Sequence, residues 1–174
     1  MSLSTRRRSP CIVVMGVSGI GKTTVARLLA ERLDIPFAEA DDFHPWANIA
    51  KMSAGVPLDD ADRQPWLESI GRWLHESDTA GRGGVVTCSA LKRNYRDTLR
   101  AACPGVFFLH LTASHDLLAE RIGRRTGHFM PMLLLDSQLA ALEPLGPDEP
   151  GAPLDAGPAP DTIAETAMDL LPRE

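Results

Sequence analysis

The chain has 174 residues, 44% of them hydrophobic and 24% charged, which is enough for one well-buried core and too little for two average domains. These proportions exclude a largely disordered or collagen-like chain. The net charge of −5, from 23 acidic against 18 basic residues, argues against a general basic surface for gripping nucleic acid and leaves room for a local basic site.

The longest apolar run, residues 11–17, falls far short of the roughly 20 apolar residues that a membrane span needs, so a soluble chain without a membrane partner is expected. Arg6, Arg7 and Arg8 precede this run. It is too short for a secretory signal core and leads into a glycine-rich motif, so residues 1–10 read as a frayed, disordered tail and residues 11–174 as one domain. Cys11, Cys88 and Cys103 form no CxxC pair, and an odd count suits a reduced compartment, hence the cytoplasm. Cys11 and Cys88 lie in apolar stretches and read as small core residues.

Residues 11–15 form a compact β-rich run ending at Gly16, as a buried parallel strand would. From Lys22 the period changes: Val25, Leu28, Leu29 and Leu33 share a helical face, and Asp34, Ile35 and Pro36 close the helix. Residues 35–38 make a short second strand. Residues 62–75 repeat the helical logic with Trp66, Ile70, Trp73 and Leu74 on one face and Pro65 in the first turn, where it is tolerated. A strand at residues 85–88, a helix over 89–103, a strand at 106–111 and a helix over 114–125, with Ser114 as N-cap, follow in turn. Between Pro144 and Pro160 lie 6 of the 14 prolines; they disfavour a long element and leave room for a short strand at residues 152–154. Asp161 is placed to cap a last helix whose Ile163, Ala167, Leu170 and Leu171 lie on one side. Strands alternating with helices predict an α/β fold with a parallel sheet.

Gly16-Val17-Ser18-Gly19-Ile20-Gly21-Lys22-Thr23 matches G-x-x-x-x-G-K-[ST] between a buried strand and a helix, the setting that a phosphate-binding loop requires. Backbone N–H groups of the turn and the positive end of the helix dipole converge there on phosphate oxygens. Lys22 is expected to reach the β- and γ-phosphates, and Thr23 to offer its hydroxyl to Mg²⁺. Binding of a nucleoside triphosphate follows, without identifying the phosphoryl acceptor.

The acceptor hydroxyl must lie near a carboxylate that orients or deprotonates it. Glu39, Asp41 and Asp42 follow the second strand at the edge where an open α/β sheet builds its crevice. If that strand continues, Glu39 and Asp41 point the same way and Asp42 points away; an acidic solvated loop is the alternative. Lys92, Arg93, Arg96, Arg100, Arg121, Arg124 and Arg125 concentrate 7 of the 18 basic residues within 34 positions. Lys92 and Arg96 read as partners of an anionic substrate, whereas Arg100, furthest from the strand end, reads as solvated helix face. Arg121, Arg124, Arg125 and His128 form a basic flap able to close over ATP and stabilise charge on the transferring group.

Taken together, GVSGIGKTT (residues 16–24), DDFHPWANIAKM (41–52), GVPLDDADRQPWL (55–67), CSALKRNYRDTLR (88–100), GHFMP (127–131) and DSQLAALEP (136–144) make the chain resemble the small P-loop gluconate kinases over almost its whole length. The resemblance implies a three-layer P-loop kinase fold with a mobile lid around residues 121–142. It implies ATP-dependent, Mg²⁺-requiring phosphorylation of D-gluconate at its 6-hydroxyl, feeding the pentose phosphate or Entner-Doudoroff route, and a homodimer. Gly16 through Thr24, including Thr24 itself, then hold the nucleotide phosphates and Arg121 lies near the adenine. Lys22, Asp41 and Arg125 are catalytic, Asp41 acting on the 6-hydroxyl. Thr23 and Glu39 place the metal. Asp41, His44, Arg63, Lys92, Arg96 and His128 meet substrate, with His44 equally suited to fixing the loop ahead of Pro45. The chain departs from the family pattern at Ala40, where glycine is usual, and at residues 152–155, where the expected apolar strand is diluted. A kinase for another small sugar acid or a shikimate-like acid is the alternative, and an ATP-sensing module without transfer is a further one.

Overall fold

A computed structural model describes residues 8–123 and 131–172. The basic-flap residues Arg124, Arg125 and His128 therefore lie outside the described residues, as does most of the N-terminal tail.

In chain order the elements are β1 (Cys11–Met15), α1 (Lys22–Leu33), β2 (Phe37–Glu39), a 3₁₀ turn (Ala40–Phe43), α2 (Trp46–Ser53), α3 (Asp60–Thr79), β3 (Gly84–Thr87), α4 (Arg93–Ala102), β4 (Phe107–Thr112), α5 (His115–Gly123), α6 (Pro131–Ala141), β5 (Gly151–Asp155) and α7 (Pro160–Leu170). The five strands form one parallel sheet in the order β2-β3-β1-β4-β5. Each of β2 to β5 is reached by a crossover that carries a helix to one face, so both faces are covered.

Alternation along the central strands divides the core. Ile12, Val14, Val85, Leu109 and Leu111 pack with Val25, Leu29 and Ile163 on one face. Cys11, Val13, Met15, Val86 and Phe108 pack with Trp66, Ile70, Leu74 and Leu99 on the other. Burial on both sides is why β1 reads as an unbroken apolar run, and it makes the sheet the middle of three layers.

Three helix starts differ from expectation, and α4 begins at Arg93 instead of residue 89 because Ala90 takes a left-handed φ of +46° and Lys92 is extended. Helix α3 begins at Asp60, two residues early, because Asp59 and Asp62 form a reciprocal capping box: Asp59 Oδ1 accepts the Asp62 N–H at 2.7 Å and Asp62 Oδ2 accepts the Asp59 N–H at 3.1 Å. Asp161 does not cap α7. Ala159 holds the cap position and Pro160 starts the helix, where its missing N–H costs nothing; Asp161 instead meets Arg32 at 3.2 Å.

Arg96 of α4 also has a different role from the one expected. Arg96 is completely buried. Its Nε and Nη2 donate to the two carboxylate oxygens of Glu149 at 2.6 and 3.1 Å. Nη1 donates to the Ala90 and Leu91 carbonyls, and Nη2 also to that of Pro144. Arg93 grips Asp148 with two prongs, and Arg100 donates to the Asp148 carbonyl. The expectation of Arg96 as a substrate ligand is thus corrected: its donors are consumed in holding residues 144–149, the loop that leads into β5. Burial alone would raise the Glu149 carboxyl, yet the hydrogen bonds from Arg96 and the Gly146 amide bring it below its ordinary value.

Breaking this buried pair from either side leaves a charge without its partner, so Arg96→Ala and Glu149→Ala should each lower stability by about 3–5 kcal/mol in urea unfolding. A loss no larger than that of an exposed ion pair, about 1 kcal/mol or less, would show that the clamp does not hold the loop.

Candidate active site

Three strand ends build the site. At the end of β1 the chain turns through Gly16, Gly19 and Gly21, with φ of +145°, +82° and +100°, and enters α1 at Lys22. A Cβ on Gly16 would also sit 2.9 Å from the Leu111 carbonyl oxygen, so the turn requires glycine there. The Gly16 N–H donates to the Ser89 carbonyl at 3.3 Å, tying the loop to the segment after β3. Lys22 Nζ donates to the Gly16 and Val17 carbonyls, both at 2.9 Å, and the Ser18 N–H donates to Gln138 Oε1 of α6 at 2.6 Å.

Beside the loop opens a cleft of about 360 Å³ whose lining includes Lys22, Thr23, Glu39, Asp41, Thr87 and Gln138. Glu39 ends β2 and Thr87 ends β3; the Thr87 hydroxyl donates to Glu39 Oε2 at 2.6 Å, which orients the carboxylate. The strand does not continue past Glu39, so Asp41 reaches the cleft through the 3₁₀ turn rather than by strand alternation. Asp42 does not line this cleft. The turn is held by Trp66, whose Nε1 donates to the Ala40 carbonyl at 2.6 Å and whose ring stacks on His44 with centroids 4.5 Å apart.

His44 Nδ1 lies 3.3 Å from Asn48 Nδ2, and the same amide donates to the Asp62 carbonyl at 2.8 Å. With an N–H₂ group facing it, Nδ1 acts as acceptor, and the proton of the neutral ring sits on Nε2. Burial pushes the His44 pKa down, Asp41 opposes the shift and Arg63 adds to it. His44 is thus held in place between Asn48 and the Trp66 ring.

Arg63 and Lys92, expected at the substrate, are brought together around a pair of residues that sequence reasoning passed over. Tyr95 Oη donates to Asp60 Oδ1 at 2.5 Å, Arg63 Nη1 donates to Tyr95 Oη at 3.2 Å, and Lys92 Nζ lies 3.5 Å from Asp60. Both cations also sit over the Tyr95 ring, at 5.7 and 5.6 Å from its centroid. The hydrogen bond from Tyr95, followed by the charge of Lys92, holds the Asp60 carboxyl below its ordinary value. Two cations on one carboxylate leave this group positive, a setting for a further anion.

Arg121 packs behind the phosphate loop, donating to the Ile20 carbonyl at 3.2 Å and the Ala156 carbonyl at 2.6 Å. It borders a second hollow of about 270 Å³ lined by Gly21, Thr24, Ala156, Pro158 and Ile163. The diluted segment before α7 forms β5 all the same, pairing with β4 from Gly151 to Asp155, and so delivers Ala156 to this hollow. Cys88 also lines the main cleft, but burial pushes its thiol up to about 11, so it is no nucleophile at neutral pH.

The donors near the loop are oxygens: the Thr23 hydroxyl and the Glu39 and Asp41 carboxylates. Among the described residues no group of three His, Cys, Asp or Glu could hold a metal ion by itself. A sparse oxygen set of this kind fits Mg²⁺, which keeps several waters and takes one or two carboxylates together with substrate phosphates. Gln138, Thr87 and Trp66, like Asp60 and Tyr95, are residues that the sequence reading did not assign to the site. Trp66 and Gln138 fall within the PWL and DSQ segments of the resemblance, whereas Thr87 had no signal beyond its place at a strand end.

Residues 11–145 match the family model described as an AAA domain. A gluconokinase of Gluconobacter oxydans (strain 621H) is 54% identical over 154 residues, covering 88% of this chain and 86% of that one. A gluconokinase structure from Sinorhizobium meliloti 1021 superposes with a TM-score of 0.82 at 46% identity, over 95% of this chain and 93% of that one. A sugar kinase structure from Janibacter sp. HTCC2649 gives 0.85 at 49% identity, over 93% and 94%.

His44 and the buried His110 both have pKa values lowered from 6.5, chiefly by burial. The unfolded chain therefore takes up protons first on acidification, and stability is lost as pH falls below about 6.5 through the lower folded values. NMR titration of the two imidazoles should give midpoints below 6.5, and a midpoint at or above it for either ring would contradict the assigned burial.

Proposed function

The chain belongs to the gluconokinase family and is a phosphotransferase of the alcohol-acceptor class, and we propose that it transfers the γ-phosphoryl group of ATP to the 6-hydroxyl of D-gluconate. The carrying observation is the single cleft in which Lys22 and Thr23 meet Glu39 and Asp41.

On this reading the loop from Gly16 to Thr24 holds the nucleotide phosphates through its backbone N–H groups, and Lys22 exchanges its carbonyl partners for β- and γ-phosphate oxygens. Arg121 borders the adenine side. The 6-hydroxyl oxygen attacks the γ-phosphorus, the bond to the β,γ-bridging oxygen breaks and ADP leaves, while Asp41 orients the hydroxyl and receives its proton. Thr23 and Glu39 would hold Mg²⁺, which when bound neutralises charge on the β- and γ-phosphate oxygens. Arg63 and Lys92 take the gluconate carboxylate, and His44, fixed by Asn48 and Trp66, presents Nε2–H toward a substrate hydroxyl. By family resemblance Arg125 stabilises the transferring group and His128 meets substrate. The reading extends to a cytoplasmic homodimer feeding the pentose phosphate or Entner-Doudoroff route; a one-chain mass by light scattering would remove the dimer.

ADP formation should depend on D-gluconate and on Mg²⁺, and a folded, ATP-binding preparation with no gluconate-dependent turnover would overturn the proposal. Asp41→Asn should retain ATP binding and lower kcat by about 10²- to 10⁴-fold; full activity would reject Asp41 as the base. Lys92→Ala and Arg63→Ala should raise the gluconate KM by roughly 10- to 100-fold, the worth of a hydrogen bond to a charged group, and an unchanged KM would remove them from the substrate site.

A further inference from the structure

The Ser18 N–H, in the middle of the turn that receives phosphate, donates to a side-chain oxygen 120 residues away in sequence, Gln138 Oε1, at 2.6 Å. Gln138 and Ser18 both line the main cleft. Two further groups of the loop are engaged within the protein, Lys22 Nζ with the Gly16 and Val17 carbonyls and the Gly16 N–H with the Ser89 carbonyl.

We propose that Gln138 is an internal stand-in for a phosphate oxygen: its amide carbonyl occupies the Ser18 N–H of the nucleotide-free protein and must be displaced when a nucleoside di- or triphosphate enters. The chemistry matches, since an amide oxygen and a phosphate oxygen are both acceptors and one N–H serves one strong bond. A neutral acceptor is also the right kind of placeholder. It keeps the amide satisfied and the turn in its binding shape, yet it forms a weaker bond than a charged phosphate oxygen, which is roughly twice as strong a partner. The helix itself need not move. Leu135, on the same helix, is fully buried in the core, so release requires only rotation of the half-buried Gln138 side chain. Gln138 is thereby a positioning residue of the nucleotide site whose cost is set against nucleotide affinity.

The inference rests on the nucleotide-site reading, and the test separates the two. Calorimetric titration of the full chain with ADP and with a non-hydrolysable ATP analogue, both with Mg²⁺, measures the competition directly. Gln138→Ala removes the competitor on a helix that favours alanine, and should bind both nucleotides about 2- to 10-fold more tightly, the worth of one neutral hydrogen bond. Gln138→Glu keeps an acceptor at Ser18 but adds a negative charge facing the phosphates, and should bind both more weakly than the unsubstituted chain. Amide hydrogen exchange in the absence of nucleotide should show Ser18 protected in the unsubstituted chain and faster in Gln138→Ala. Unchanged or weakened binding by a folded Gln138→Ala, or equal Ser18 exchange in the two proteins, would overturn the stand-in role while leaving the nucleotide site intact. Failure of the unsubstituted chain to bind either nucleotide would overturn both.

Discussion

The lateral spacing of three parallel strands sets the dimensions on which the site depends. β1 carries the phosphate loop, β2 delivers Glu39 and the turn bearing Asp41, and β3 lies between them. Neighbouring strands stand about 4.8 Å apart, so the loop and the carboxylates emerge roughly 10 Å from one another. That interval has the width of a phosphoryl group facing an attacking hydroxyl, and it cannot close because β3 fills the sheet between. Thr87 at the end of β3 uses the same geometry, reaching sideways to hold Glu39. The strand order, rather than any one contact, thus places acceptor chemistry beside phosphate chemistry.

Local and long-range features were unequally legible in the sequence. The loop between β1 and α1 could be read because its glycines, lysine and threonine follow a fixed spacing and a change of period, both local properties. Strand β5 was recoverable from residues 152–154 despite Pro153, since Pro is tolerated on the edge strand that β5 proves to be. Arg96 was misread for the opposite reason. Its place in a basic cluster with Lys92 is visible in the sequence but does not name what it meets, and Glu149 lies 53 residues away in a proline-rich loop. Asp41 came to the expected place by another route: β2 stops at Glu39, and a 3₁₀ turn pinned by Trp66 does the work assigned to strand alternation.

The charge distribution follows from the same division. Arg93, Arg96 and Arg100 face Asp97, Asp148 and Glu149, so much of the apparent basic cluster is neutralised inside the fold and shapes the approach to β5. Lys92, one residue before Arg93, belongs to the other group with Arg63, Tyr95 and Asp60. A single short stretch of sequence therefore supplies both a structural clamp and the cation that sits beside Asp60 and Tyr95. The net charge of −5 describes neither.

The polar groups of the site are also largely satisfied before any ligand arrives. Tyr95 holds Asp60, Thr87 holds Glu39, Trp66 holds the Ala40 carbonyl, and the phosphate loop has its own carbonyl and amide partners. Because a buried donor without an acceptor costs more than a hydrogen bond gains, such pairing lets the glycine turn keep its shape without nucleotide. For Lys22 Nζ and the Ser18 N–H, a phosphate would exchange one partner for another instead of adding one. The net gain then comes from replacing neutral acceptors with charged phosphate oxygens, a difference that a nucleoside without its phosphates cannot supply. At these two groups a preference for a phosphorylated ligand follows from their being paired with neutral acceptors, and the Ser18 partner, Gln138, is supplied by α6.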